Sequence, residues 1–257
     1  FLIFTLELGM SGAAIASSLA EMGSLIVLCI YTKAKIDKDK YGLKPVYDGR
    51  LLIKVLNLSV WSMLHAFISV APWFLFFVAI EHLGKTELAI SNITRSVSAI
   101  FFVIANSFAV TTGSLVSNVI GAGARNELFP ICHKVLKLGY AVGIPFVVVA
   151  LLCNRWIVSF YTDNELLIEL AFAPFVVMIL NYTFALPGYV YLNAVGGTGK
   201  NKITFLFQVT TTCVYLVYLY WLSFCIKASL SLYLTAEYLF VILLALQSII
   251  YLKSKHY

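Results

Sequence analysis

Seven apolar stretches, near residues 9–31, 54–80, 88–119, 130–152, 167–196, 202–226 and 231–252, leave this chain one environment to fold in. Each is long enough for a helix across a bilayer, which takes about 20 mostly apolar residues. The mean hydropathy is +0.93, and 61% of the residues are apolar. A soluble chain of 257 residues could not hide that much apolar surface. Only helices and closed barrels pair every backbone N–H and C=O inside lipid. A barrel is made of alternating strands of about ten residues, and the runs here are longer and continuous. The expected fold is an all-α membrane protein with about seven transmembrane helices.

The charges between the runs sort by side. When alternate loops are placed on alternate sides, fourteen Lys and Arg residues fall on one side. They come from Lys33–Lys54, from Arg125, Lys134 and Lys137, from Lys200 and Lys202, and from Lys253 and Lys255. Three, Lys85, Arg155 and Lys227, fall on the other side. Loops kept in the cytoplasm are the basic ones. The reading is a multi-pass protein of the cytoplasmic (inner) membrane, with Lys33–Lys54 and the C-terminus facing the cytoplasm. The net charge of +6 then sets orientation, and nucleic acid is not an expected partner. The long polar segment, which also holds Asp37, Asp39, Asp48, Gly42 and Pro45, reads as a linker lying on the membrane surface.

Little in the chain points to catalysis. Cys29, Cys132, Cys153, Cys213 and Cys225 are scattered, without C-x-x-C spacing, and read as free thiols in apolar helices. Gly196–Lys200 contains Gly-Gly-Thr-Gly-Lys but lacks the phosphate-loop frame and joins two apolar runs. No Ser/His/Asp set and no His-Glu-x-x-His occurs, so an enzyme is not expected, and neither a cofactor nor a metal site. The chain begins at Phe1, inside an apolar stretch and without a basic leader, so the natural N-terminus is expected upstream.

Local signals fill in the helices. Glu81–Glu87 predicts a tight outer hairpin, with Trp73 and Phe74–Phe77 as an aromatic belt near it. Asn154–Tyr161 reads as an interfacial segment, and Thr162 to Glu165 has capping-box spacing. Pro145, Pro174 and Pro187 each free a carbonyl inside an apolar run. In the third run Ser91, Arg95, Ser98, Asn106, Gly113 and Ser117 share one helical face, with Phe102 and Ala109 between them. Such a stripe faces protein or water: either tight packing through small residues or a wet cleft. Arg95 calls for a partner or a cavity, because a charge at mid-helix costs about 2.5–3.5 kcal/mol on insertion scales. Glu81, across the hairpin, is the nearest carboxylate candidate. Glu21, central in the first run, reads either as a proton or cation relay or as a neutral, hydrogen-bonded group. His65 is a mid-span group that could titrate.

Five segments resemble the multidrug and toxic compound extrusion (MATE) family of secondary transporters. Leu8–Ser17 is similar to the start of the last helix of that family's first lobe, and Gly84–Asn92 to the hairpin after its seventh helix. Val116–Gly123 resembles the end of the eighth helix, although the family often has Val-Gly-Gln there. Phe160–Glu165 and Val195–Gly199 resemble the turns around the tenth helix. The resemblance implies two six-helix lobes. Residues 1–32 would then be the end of the first lobe, 33–53 the basic cytoplasmic inter-lobe linker, and 54–257 the second six-helix lobe. It implies export of amphipathic or cationic organic compounds by Na+ or H+ antiport. The working unit would be a monomer in the lipid bilayer, completed by an N-terminal lobe. Cleft or coupling candidates are Glu21, Glu81, Arg95, Asn106, His65, Asn181 and Tyr182. Members linked to sodium are expected to have acidic residues mid-membrane in the seventh and tenth helices. Here those places have His65 with Ser69, and Asn181 with Tyr182 and Thr183, so the ion site would lie in the first lobe or use Glu21. Alternatives are a lipid-linked oligosaccharide flippase of similar two-lobe design and a non-transporting membrane scaffold.

Overall fold

A computed structural model describes Thr5, Leu8–Lys35, residues 47–226 and residues 228–254. The rest of the stub before Leu8, most of the linker (residues 36–46), Lys227 and the last three residues of the C-terminal tail lie outside the described residues. What is described is helical: α1 (Gly9–Lys35), α2 (Gly49–Glu81), α3 (Lys85–Gly121), α4 (Leu128–Leu152), α5 (Asn154–Ser159), α6 (Glu165–Leu180), α7 (Tyr182–Gly197), α8 (Asn201–Trp221) and α9 (Leu230–Lys253). A 3-10 turn, Arg125–Glu127, leads into α4, and a π turn, Leu222–Ile226, follows α8. Seven helical segments are long and apolar enough to cross a membrane, one for each predicted run. The expected all-α, multi-pass class is therefore found.

The chain divides into two compact units, residues 1–53 and 54–257, with the boundary inside the first turns of α2. In the first unit α1 is mostly apolar and exposed along its length except at buried Gly12 and half-buried Thr32. Its Ser17 and Ser18 hydroxyls donate to the carbonyls of Ala13 and Ala14, which keeps them satisfied without outside partners. Glu21 is exposed on this helix.

The second unit is built around α7, which packs on α3, α9, α4 and α8. Its small residues allow this. A methyl group at Gly188 would lie 2.7 Å from the Val241 carbonyl of α9, and one at Gly197 would lie 2.5 Å from the Gly113 carbonyl of α3. Ser117 closes the same α3–α7 crossing by donating to the Gly197 carbonyl at 2.9 Å. The lower part of the polar stripe on α3 is thus helix packing, as small residues in membranes commonly are.

The fifth predicted run is two helices, α6 and α7, interrupted at Asn181. Neighbouring tyrosines cover the carbonyls that the interruption and its prolines loosen. Pro187 has no N–H for the Thr183 carbonyl, and the Tyr140 hydroxyl of α4 donates to it at 2.7 Å. On the other side of the break the Tyr238 hydroxyl of α9 donates to the Val177 carbonyl at 2.5 Å. Among the described residues four helices have a proline inside them, because α2 contains Pro72 in addition to the three expected prolines.

Two local expectations are corrected. The N-cap of α6 is Asn164, whose side chain accepts from the Leu166 N–H at 3.0 Å, in place of a Thr162 capping box; Thr162 Oγ1 instead accepts from the Asn164 N–H. The Asx geometry satisfies one orphan donor of the first turn, the Leu166 N–H, from a cap two residues further along. The aromatic belt on α2 splits as well: Phe74 is exposed, whereas Phe76 is fully buried. The hairpin between α2 and α3 is as tight as expected, with Gly84 at φ 136° just before α3.

Candidate functional site

Arg95 enters the unit ten residues along α3, and Glu237 seven residues along α9, so the helix rise sets both roughly 10–15 Å from the starts of their helices. There Arg95 Nη2 donates to Glu237 Oε1 at 2.5 Å, and both side chains are buried. The Tyr215 hydroxyl of α8 donates to the same oxygen at 3.3 Å. Aromatic rings of α2 surround the guanidinium: Phe76 at 4.0 Å, Trp73 at 5.0 Å and Phe77 at 5.2 Å from carbon to ring centre. Arg95 Nε and Nη1 have no hydrogen-bond partner among the described residues, and the ring faces supply the remaining stabilisation of the cation. The sequence pattern asked for a partner for Arg95, and the structure supplies one. It is Glu237 and not Glu81, which is exposed at the end of α2.

Glu237, 9% exposed, is a buried carboxylate that the sequence reading did not single out. A signal for Glu237 was present: it is the one acidic residue within the run 231–252.

Three hollows adjoin the pair or continue from it. The upper cavity, about 410 Å³, has Glu237 on its wall together with Trp73, Phe102, Tyr189 and Phe240 and the polar residues His65, Ser69, Asn106, Asn193 and Gln208. A lower cavity of about 350 Å³ lies toward the end that carries Lys200 and Lys202. Its lining is polar: Ser62, His65, Ser114, Ser117, Asn193, Asn201 and Thr204. A small pocket of about 50 Å³ on the other side of Glu237 includes Asn181 and Tyr182. His65, Asn193 and Leu192 border both larger cavities.

The structure therefore gathers Arg95, His65, Asn106, Asn181 and Tyr182 around Glu237 or its cavities. Their roles differ. Tyr182 spends its hydroxyl on the Gly139 carbonyl at 2.8 Å and lays its ring over Gly143, which is a packing role. The Asn181 side-chain oxygen is buried without a partner among the described residues. Asn106 is exposed along α3 and reaches the upper cavity. Residues that sequence reasoning passed over, Gln208, Asn193, Tyr189 and Trp73, complete the walls. Tyr189 and Asn193 stand one turn apart on α7, and Trp73 continues the His65 and Ser69 spacing on α2, but spacing along one helix does not say which neighbouring helix that face meets.

With this geometry in view, the matches to known proteins fall into place. The MatE family model matches residues 62–222, and the chain belongs to the MatE family of membrane transporters. No curated protein sequence matches it. One solved structure, described as a crystal structure of MATE in complex with MaL6, superposes with a TM-score of 0.82 at 17% identity, over 99% of this chain and 58% of that one. Another, described as MATE in the bent conformation, gives 0.67 at 17% identity, over 77% of this chain and 44% of that one. The chain thus spans about half the length of these proteins, and at such identity the likeness is one of fold.

Proposed function

We propose that this chain works within a secondary active transporter that exports amphipathic, cationic organic compounds across the cytoplasmic membrane by antiport with Na+ or H+. Residues 54–257 would serve as the second six-helix lobe and residues 1–32 as the end of a first lobe, joined by the basic linker 33–53. One observation carries the reading: a buried carboxylate, Glu237, stands on the wall of a cavity of about 410 Å³ whose other walls are aromatic faces and amides. Aromatic faces and a carboxylate attract an organic cation, and mostly apolar walls accept its hydrocarbon part. Arg95 balances Glu237 in this arrangement, so an entering cation competes with an internal one. Glu21 remains the proposed coupling group on α1. Gradient energy reaches the substrate only when the ion binds the two access states with different affinity. The flippase reading is weaker, because Arg95, the buried cation that spoke for it, is already neutralised by Glu237.

The test is efflux of a permeant cationic dye from cells that express the chain joined to a first lobe. Replacing Arg95→Met together with Glu237→Gln removes the carboxylate and its counter-charge at once and preserves packing. Export of the cationic dye should fall about tenfold or more, as expected for the loss of one charged contact, at unchanged membrane abundance. Undiminished cation export in that variant, or no export by the parent, overturns the proposal.

A further inference from the structure

His65 differs from the other described histidines. His82 and His133 each direct Nδ1 at the carbonyl four residues back, Val78 at 3.0 Å and Phe129 at 2.8 Å. Among the described residues His65 has no such bond, and its Nε2 is buried without a partner. Its ring is also the one titratable side chain that borders both the upper and the lower cavity among the described residues. His65 shares this border with Leu192 and Asn193, and a buried polar atom left unpaired costs stability unless a movement pairs it.

We infer that His65 is a proton-operated partition between the polar lower cavity and the aromatic upper one. The inference rests on the transport reading above. In the neutral state one nitrogen lacks a hydrogen and the ring stays in the wall. A proton taken from water onto that nitrogen leaves two N–H donors and a positive charge, and both donors need acceptors. The lower cavity supplies them as side-chain oxygens of Ser62, Asn193 and Asn201. The ring then turns toward them, and the two hollows join. When the proton returns to water the ring closes again. The titratable and charged groups facing this space are few. From α9 comes Glu237, held by Arg95 of α3, and from α7 comes Tyr189. The remaining neighbours, on α2, α3, α7 and α8, are hydroxyls, amides and apolar groups. Lys202 of α8 lies over the Trp61 ring, 5.3 Å from its centre, and is occupied there. His65 is in this scheme a positioning residue: it controls passage and does not itself hold substrate.

The test is thiol accessibility in the full-length protein in nanodiscs, with the native cysteines replaced. Gln208→Cys reports the upper cavity, and Ser114→Cys the lower one. Labelling of Gln208→Cys by a small charged reagent is divided at each pH by that of Ser114→Cys, which cancels the pH dependence of the thiol. The ratio should rise at least about fivefold from pH 8 to pH 5.5, the scale set by pairing one orphaned buried group. With His65→Gln it should stay low at both pH values, and with His65→Ala it should be high at both. A flat ratio in the otherwise unchanged protein overturns the inference without reference to any His65 variant. So does a pH step that survives in His65→Gln, or a low ratio in His65→Ala. Because the readout is labelling, it is independent of dye export: absent export sinks the transport reading, while a flat ratio sinks only the partition.

Discussion

Arg95 and Glu237 stand 142 positions apart in the chain, on α3 and α9, and meet Nη2 to Oε1 at 2.5 Å inside the helical unit. A buried charge that loses its counter-charge is far more costly than a pair replaced whole. Arg95→Met alone, or Glu237→Gln alone, should lower the stability of the protein in detergent by about 3–5 kcal/mol. The double variant should recover most of that loss. Thermal unfolding followed by tyrosine and tryptophan fluorescence checks this; equal cost for the single and double variants would show that the pair is not a unit.

The Tyr140 hydroxyl exists, on this structure, to serve the Thr183 carbonyl that Pro187 cannot reach. Tyr140→Phe should cost about 1 kcal/mol in the parent, the usual worth of one such bond. In a Pro187→Ala background the restored N–H at position 187 bonds that carbonyl itself, and Tyr140→Phe should cost close to nothing. A double-mutant cycle reads the coupling directly. Additive effects would mean that the hydroxyl is placed there for another reason.

Close helix crossings make specific glycines irreplaceable. A methyl group at Gly197 would sit 2.5 Å from the Gly113 backbone carbonyl, and backbone does not move aside. Gly197→Ala should destabilise by about 1–3 kcal/mol, as overpacking does. Gly121→Ala, at the end of α3, meets nothing within 4 Å and should be tolerated. If both variants melt like the parent, α3 and α7 do not cross this closely.

The charge asymmetry predicts which ends face the cytoplasm. In intact cells an impermeant thiol reagent added outside should label Arg155→Cys and leave Lys202→Cys unlabelled. The reverse pattern would invert the protein in its membrane.

Span number, helical class and the ends of the hairpins came from the sequence alone. The physical reason is that hydropathy and loop charge add up along the chain and depend on no distant contact. The free carbonyl behind Pro187 was legible for the same reason, since a missing N–H is a local fact. That Tyr140 would cover it was not. Glu237 stands in the sequence as an acidic residue in an apolar run, but the sequence offers Glu81 as the partner of Arg95, because Glu81 is closer to Arg95 along the chain and Glu237 is closer in space. The interruption at Asn181 and the division of α2 aromatics between exposed Phe74 and buried Phe76 follow from which neighbour each face meets. His65 took on meaning only when the walls of two cavities came together on it. Tertiary structure decided these points because pairing, cavities and orphaned atoms are properties of several helices at once, and a single helix carries no record of what packs against it.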